Sequence, residues 1–185
     1  MNRKKFLATG IAAFPAFTLL QSASAMGTAT QPFVVRSGEG RSGKPMMYRG
    51  RHPNNIVISK KDTDGVMSVF AYTGYERIGP SLHMHLDQDE IFYVGEGKYR
   101  FVVGEAIHEL SAGDTIFLPR KIAHSWIQLT DRGQLLYMVQ PAGTMEEFFQ
   151  EMDGLKMPAT EEQVKAIHQK HGMKLLGPGL KLQQP

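Results

Sequence analysis

Short runs of β-branched, aromatic and other hydrophobic residues alternate with turn residues through the middle of the chain. The runs cover residues 56–58, 67–72, 91–94, 99–103, 115–118, 125–127 and 135–139. Residues of these types favour strands, and the Gly, Pro and Asp residues between the runs favour turns. Short strands at this spacing, with no helical period between them, predict an antiparallel β-sandwich or barrel over residues 55–140.

The two flanking segments differ in composition from this central region. Residues 26–54 are rich in Gly, Ser, Pro and Arg, and we expect an extended N-terminal arm with one or two short strands. Residues 141–185 predict C-terminal helices followed by an apolar tail, which we expect to lie extended over residues 175–180. The chain is therefore predicted to hold one β domain between an arm and a short helical extension.

Two helices are predicted in the C-terminal extension. The first covers residues 144–152, with acidic residues in the opening turns, where they complement the helix dipole. The second begins after Thr160, because Thr160 and Gln163 have the spacing of a capping box. It carries His168 and His171 three residues apart, so that both can contact one metal ion, but we expect them to lie on an exposed helical face.

The first 25 residues have the three parts of an export signal in the usual order. Residues 3–5 form a basic start, residues 6–20 an apolar run, and residues 23–25 a small-residue cleavage sequence. The apolar run is shorter than the ~20 residues that a membrane-spanning helix needs. We predict cleavage after Ala25, a periplasmic or secreted protein, and no stable membrane insertion after cleavage. The alternative is an uncleaved anchor.

The start of this signal also resembles the twin-arginine export signal. Its sequence is Arg3-Lys4-Lys5-Phe6-Leu7, with Lys in place of the second Arg. The twin-arginine route carries folded proteins, which would allow a metal to be bound before export. Both this route and the general Sec route for unfolded chains stay open.

The net charge of the chain changes when the signal is removed. The full sequence has 21 Lys plus Arg and 18 Asp plus Glu, a formal net charge of +3. Three of the basic residues and none of the acidic ones lie in residues 1–25, so 18 of each remain. A neutral mature chain has no excess positive charge to attract polyanions, and we predict no nucleic-acid partner. The absence of Cys excludes disulfide frameworks and thiolate nucleophiles.

Four residues of the β region are of types that bind divalent metal ions: His83, His85, Glu90 and His124. His83 and His85 are two residues apart, so in a strand they face the same side. Glu90 follows a polar turn that allows the next strand to return beside this pair, and His124 begins a later strand. Three imidazoles and a carboxylate suit a divalent first-row transition metal. We predict one such ion, and Fe, Ni, Mn, Cu and Zn all stay open.

The spacing of these residues resembles the two sequence motifs of the cupin family. The first motif is His-x-His, four residues, Glu, six residues and Gly, and the second is Gly, five residues, Pro, four residues and His. In this chain they are formed by His83, His85, Glu90 and Gly97, and by Gly113, Pro119 and His124. The resemblance covers about residues 66–140. It implies an all-β fold, the antiparallel double-stranded β-helix of the cupin jelly-roll barrel, here with a short C-terminal helical extension.

Three positions depart from the usual cupin pattern. Gly79 stands closer to His83 than the leading Gly of the first motif usually does. Lys121 stands where the family usually has a turn Gly, and Gln128 stands where it often has Asn. None is a ligand position. We therefore expect them to alter the shape of a turn and the lining of a pocket, and not the metal ligands.

The C-terminal extension carries a closer resemblance. Residues 141–149 and the Leu176-Gly177-Pro178 tail are similar to small bacterial cupins of the quercetin 2,3-dioxygenase type. In that group the metal binds an enolic or catechol-like oxygen of a flavonol and dioxygen is inserted, which implies a small-molecule substrate and dioxygen as partners. Glu90 is then the candidate catalytic base. Because some cupins pair through their β-sheets, a homodimer is a further expectation.

Two other classes of function stay open. One is a metal-bearing domain that binds or senses a small molecule without turnover, and the other is a cupin isomerase or decarboxylase. Three side chains that share strand faces with the ligands are predicted to line a substrate pocket: Phe92, Trp126 and Gln128. The alternative for Phe92 and Trp126 is that they belong only to the barrel core.

Overall fold

The computed structural model describes residues 31–43, 45–156 and 158–182. The predicted export signal, residues 1–25, lies outside these ranges. The described residues form two helices, α1 (Met145–Asp153) and α2 (Glu161–Lys170), and eleven strands. The strands are β1 (Met47–Tyr48), β2 (His52–Ile58), β3 (Ser68–Gly74), β4 (Ser81–His85), β5 (Asp89–Glu96), β6 (Lys98–Val103), β7 (Ala106–Ser111), β8 (Thr115–Leu118), β9 (His124–Gln128), β10 (Gly133–Gln140) and β11 (Met173–Gly179). Neither helix has the length and apolar character that crossing a membrane requires.

The strands form two antiparallel sheets. One has the order β1-β2-β3-β10-β5-β8 and the other the order β11-β4-β9-β6-β7. Strands that are distant in the sequence therefore lie side by side, such as β3 with β10 and β4 with β11. This is the jelly-roll arrangement, and it confirms the predicted all-β fold class with two short C-terminal helices.

The hydrophobic core lies between the two sheets. Along β10, Leu135, Tyr137 and Val139 are buried while the residues between them are partly or fully exposed, as the period-two alternation of a strand requires. Phe92 of the six-stranded sheet packs against Phe101 of the five-stranded sheet, with ring centroids 5.4 Å apart. The alternating pattern in the sequence thus reflects one buried face on each sheet.

Two strands differ from the sequence expectation. The pattern predicts no strand at Ala106–Ser111, yet these residues form β7 at an edge of the five-stranded sheet. Most of them are exposed on both faces, so their sequence carries no alternation. The apolar tail, expected to lie extended, forms β11 and pairs with β4. The ligand-bearing strand β4 therefore lies between β11 and β9, and the C-terminal extension is part of the sheet that carries the histidines.

The second helix begins as predicted. The Thr160 hydroxyl accepts a hydrogen bond from the Gln163 backbone N–H at 3.2 Å, and the Gln163 side chain accepts one from the Thr160 N–H at 2.9 Å. The expectation that His168 and His171 lie on an exposed helical face is wrong, because they are only 7% and 5% exposed. Both rings pack against Phe148 of α1. Packing against α1 therefore buries both histidine side chains.

A buried carboxylate fastens α1 to the barrel. Glu146, in the first turn of the helix, accepts hydrogen bonds from the Ser59 hydroxyl at 3.0 Å, the Lys60 backbone N–H at 2.5 Å and the Ser68 hydroxyl at 2.6 Å. Ser68 begins β3, and Ser59 and Lys60 follow β2. The contact therefore joins the helical extension to two strands of the six-stranded sheet.

Replacing Glu146 with Ala is expected to lower the free energy of unfolding by about 2–3 kcal/mol, because the substitution leaves buried donors without an acceptor. Urea denaturation followed by circular dichroism measures the effect. Glu161→Ala is the matched control, since Glu161 is an exposed carboxylate in the first turn of α2. Equal stability of Glu146→Ala and the wild type would contradict the role of this contact.

Candidate metal centre

The four predicted ligands converge at one buried point between the sheets. We call His83, His85, Glu90 and His124 the ligand cluster; one donor atom from each lies within 4.8 Å of all the others. β4 supplies the first two, and β9 supplies His124, which is paired with His83 across the sheet. Glu90 comes from β5 in the opposite sheet, and its Oε2 lies 3.0 Å from His124 Nε2. The folded barrel thus assembles the cluster from both of its sheets.

Each histidine of the ligand cluster is held through its Nδ1 atom. This nitrogen lies 2.8 Å from the Ser81 carbonyl oxygen in His83, 3.2 Å from the Gln88 Oε1 in His85, and 3.0 Å from the Ile122 carbonyl oxygen in His124. Because all three partners are acceptors, Nδ1 carries the proton and Nε2 presents a lone pair.

The Nε2 atoms of His85 and His124 are buried and lie 3.6 and 3.0 Å from the Glu90 carboxylate, and with Nδ1 protonated no donor stands between these acceptors. Buried polar atoms are normally paired, so an orphaned pair beside a carboxylate requires an explanation. A divalent ion supplies one, since three imidazole nitrogens and one carboxylate oxygen are an ordinary donor set for first-row metals. The residues of the ligand cluster therefore fit a metal ion.

Electrostatics keep the cluster in the protonation state that a metal needs. Burial, reinforced by the neighbouring His124 and His85, lowers the pKa of His83 to about 3. Burial acts to raise the pKa of Glu90, but the imidazoles of His85 and His124 outweigh it and lower the pKa to about 2. At neutral pH His83 is therefore neutral and Glu90 is ionised, as metal coordination requires.

Gln88 supports the cluster, although the sequence indicated only a polar turn at this position. The side chain is 6% exposed, and its Nε2 donates to the carbonyl oxygens of Pro141 and Ala142 at 3.0 and 2.8 Å. These two donations direct Oε1 towards Nδ1 of His85. In the sequence, the one indication of this role is that Gln88 lies three residues after the predicted ligand His85. Its amide joins the metal centre to the start of the C-terminal extension.

Replacing Gln88 with Ala is expected to weaken metal affinity about 10–100-fold, the usual cost of losing a partner that orients a ligand. Competition with a chromophoric chelator measures the affinity. Gln169→Ala, at an exposed position of α2, is the control and is expected to bind metal like the wild type. Wild-type affinity in Gln88→Ala would show that His85 does not need this amide.

An ion pair joins the first residue of β5 to the turn before β9. Arg120 donates to Asp89 from its backbone N–H at 2.8 Å, from Nε at 3.0 Å and from Nη2 at 2.7 Å. These hydrogen bonds lower the pKa of Asp89 to about 2. Asp89 immediately precedes Glu90, and Arg120 lies in the turn that leads to His124. The pair therefore helps to set the distance between two members of the ligand cluster.

In the metal-free protein, Asp89→Asn is expected to lower the melting temperature at pH 7. Because folding depresses the pKa of Asp89, its stabilisation is complete above the ordinary value of 3.8 and is lost as pH falls towards 2. The difference between variant and wild type should therefore shrink over this interval. Thermal melts at several pH values test it, with the exposed Asp87→Asn as control. A difference that does not change between pH 5 and pH 2 would exclude this account.

Lys121 adopts the backbone conformation that the family pattern assigns to Gly. Its φ angle is +66°, in the left-handed region that side-chain-bearing residues adopt rarely. Its backbone N–H donates to the carbonyl oxygen of His85 at 2.8 Å. The turn therefore holds this residue in the left-handed region, and it contacts the backbone of a candidate metal ligand.

A cavity of about 260 Å³ opens in front of the ligand cluster. Phe92 and Trp126, two of the three predicted pocket residues, line it, and so do His83, His85 and Glu90. Most of the remaining lining is aromatic or aliphatic and comes from β1, the barrel and both helices; it includes Tyr48, Tyr72, Tyr137, Met47, Met145, Phe148, Met152 and Val164. The helical extension therefore forms one wall of the site.

Gln128, the third predicted pocket residue, is not among the residues that line this cavity. Its amide is buried further along β9, where it donates to the carbonyl oxygens of Gly74 and Thr130 and accepts from the Tyr99 hydroxyl. Gly74 makes room for it, since a Cβ atom there would lie 1.9 Å from Gln128 Oε1. Local hydrogen bonds therefore occupy a side chain that strand alternation alone assigns to the pocket.

The comparison with protein families agrees with this geometry. Residues 74–140, which include the whole ligand cluster, match the Cupin_2 family, described as the cupin domain. This match and the jelly-roll fold together support the cupin superfamily for this chain.

Solved structures share the fold of the cupin domain. A predicted oxalate decarboxylase from Thermotoga maritima is 21% identical, with a TM-score of 0.52 over 58% of this chain and 98% of that one. An RmlC-like cupin from Shewanella frigidimarina is 18% identical, with a TM-score of 0.51 over 62% and 96% of the two chains. At these identities the likeness concerns the fold alone. No curated protein matches the chain.

Proposed function

We propose that this protein is a metal-dependent dioxygenase acting on a small molecule that has an apolar body and an enolic or catechol-like hydroxyl group. The observation that carries the proposal is that three members of the ligand cluster, His83, His85 and Glu90, line a largely apolar cavity. A structural metal site is normally closed by four ligands in a tetrahedron. An ion that prefers five or six ligands keeps positions for substrate in a site of this kind, and reactive metals need such positions.

The ligand cluster would hold the ion, with Nε2 of each histidine and the carboxylate of Glu90 as donors. When bound, the metal would supply Lewis acidity towards a hydroxyl group and a route for electrons to dioxygen. Its identity among Fe, Ni, Mn, Cu and Zn depends on availability as well as on the ligands.

Glu90 is the proposed base. Among the described residues that line the cavity, it is the one carboxylate. Its low pKa keeps it ionised at neutral pH, so an oxygen lone pair is available to the proton of an entering hydroxyl group. Because Glu90 belongs to the ligand cluster, the accepted proton is held beside the site of reaction.

The cavity walls favour an apolar body over a small dianion. Phe92, Trp126 and Phe148 supply flat hydrophobic surfaces, which exclude water and match aromatic or enolic compounds. Among the described lining residues Arg49 is the one permanent cation, and it is exposed. The structural neighbour from Thermotoga maritima is a predicted oxalate decarboxylase, but oxalate would meet few cationic partners in the cavity of this protein. The lining therefore supports an oxygenase over a decarboxylase of small dicarboxylates.

The export signal predicted at residues 1–25 supports action in the periplasm or outside the cell. In that setting a metal site without Cys has a chemical advantage, because imidazole and carboxylate ligands do not form disulfides. Fractionation of the producing cells tests this part of the proposal. Recovery of the protein only from the cytoplasm would contradict it.

The test is dioxygen consumption with quercetin and catechol by protein loaded separately with Fe, Ni, Mn, Cu and Zn. Uptake is expected with at least one redox-active metal and not with Zn, which has no redox chemistry. His83→Ala and His124→Ala should lose the metal and the uptake while keeping the fold. His108→Ala, at an exposed position of β7, is the control and should keep both.

Three outcomes distinguish the alternatives. Absence of uptake with every metal and substrate would contradict the dioxygenase. Metal-dependent binding of quercetin without uptake would instead favour a binding or sensing domain. Full metal content in both purified His→Ala variants would refute the ligand assignment, as measured by elemental analysis.

A further inference from the structure

Helix α2 contributes an imidazole to the wall of the cavity. His168 is 7% exposed and lines the cavity together with His83 and His85, although it lies outside the segment that matches the cupin domain. Its ring centroid is 6.2 Å from that of His83 and 4.9 Å from that of Phe148. A residue of the C-terminal extension therefore lies beside a member of the ligand cluster.

The hydrogen bonding of His168 defines which atom faces a ligand. Its Nδ1 lies 2.7 Å from the carbonyl oxygen of Val164, one turn earlier in α2. A carbonyl only accepts, so Nδ1 carries the proton and Nε2 presents a lone pair. Burial lowers the pKa of the ring. Nε2 makes no hydrogen bond to any of the described residues.

His168 is distinguished from its neighbour His171 by the surface that it faces. The His171 ring is also buried, and its Nε2 lies 3.5 Å from Glu151 Oε1, but it does not line the cavity. The wall around His168 is largely apolar, with Phe148 and Val164 in it, and the His83 ring is its polar neighbour. In such a wall an unpaired acceptor is costly to leave without a donor once water is displaced.

We infer that Nε2 of His168 accepts a hydrogen bond from a hydroxyl group of the molecule held in the cavity. His168 thereby selects ligands that carry a hydroxyl group in addition to the oxygen that reaches the metal, and it orients them against the ligand cluster. The inference rests on the proposed function, because it requires a molecule bound at the metal. It narrows the substrate class to apolar-bodied compounds with at least two oxygen substituents.

The discrimination has a physical origin. A ligand without the second hydroxyl group displaces water from Nε2 and offers no donor in return. Sites built to pair with a hydroxyl group reject analogues that lack it, because their buried polar atom is then left unpaired. The effect is a difference in ligand affinity, which can be measured without turnover.

The test uses cobalt(II)-loaded protein and four probes with the same chelating group. These are benzohydroxamate and its 2-, 3- and 4-hydroxy derivatives, which differ by a single hydroxyl group. Titrations followed in the visible spectrum of cobalt give each dissociation constant. In the wild type at least one hydroxylated isomer should bind about tenfold more tightly than benzohydroxamate, the scale of one well-placed hydrogen bond.

His168→Phe should make the four probes bind within about twofold of one another, because the ring packing is kept and the acceptor that distinguishes them is lost. His168→Gln, whose amide oxygen can accept near the position of Nε2, should retain part of the gain. His171→Phe is the matched control, since it changes a buried histidine that does not line the cavity. It should keep the full gain.

The inference is overturned if no isomer gains affinity in the wild type, or if the gain survives in His168→Phe. If a thermal melt shows that His168→Phe does not fold, His168→Leu and His168→Gln take its place. The inference is then overturned if His168→Leu keeps the full gain in affinity for the hydroxylated probe and His168→Gln keeps none of it. If the wild type binds neither cobalt nor benzohydroxamate, the proposed metal-dependent function fails first, and the inference falls with it. The two failures are therefore distinguishable.

Discussion

The structure depends on keeping three imidazole lone pairs directed at one carboxylate in a place that water does not reach freely. Desolvated polar atoms without partners destabilise a fold, so the barrel must hold them there with compensating contacts. It does so by fixing the opposite edge of each ring: two backbone carbonyls and the Gln88 amide accept from the Nδ1 atoms. The lone pairs then have one direction each, and an ion that binds them does not first have to order the rings.

This constraint explains why the C-terminal extension is bound so closely to the barrel. β11 pairs with the strand that carries His83 and His85, and the Gln88 amide reaches the backbone at the start of the extension. Glu146 then fastens α1 to β3 and to the loop after β2. The elements that wall the cavity are thus connected to those that position the ligands. A change in the elements that wall the cavity is expected to shift the ligands, and the reverse also holds, because protein interiors are close-packed and transmit strain.

The sequence predicted the features that local rules control. Short hydrophobic runs between turn residues located the buried strands, and motif spacing identified the ligand cluster. The spacing of Thr160 and Gln163 located the start of α2. Features that depend on packing between distant segments were missed. β7 has no alternation of buried and exposed residues because it is an exposed edge strand. β11 pairs with β4, which is distant in the sequence, so the sequence of the tail alone does not indicate this pairing.

Two glutamines and one histidine illustrate the same limit at the site. Strand alternation assigned Gln128 to the pocket, but hydrogen bonds to Gly74 and Thr130 hold its amide elsewhere. Gln88 looked like a turn residue, and its role depends on a carbonyl pair more than fifty residues away. His168 lies on a helix whose own polarity suggests exposure, yet that helix packs on Phe148 and the cavity. In each case at least one of the decisive partners is remote in the sequence.

The ligand cluster and much of the cavity wall come from different parts of the sequence. The ligand cluster lies within the segment that matches the cupin domain, and its donor set suits several metals and several reactions. Selectivity for a substrate must therefore come from the surfaces that surround the metal. Much of that surface belongs to β1, α1 and α2, which lie outside the matched segment. A metal centre whose walls are supplied by flanking segments can change substrate without disturbing its ligands, because function resides in sites and not in the fold alone.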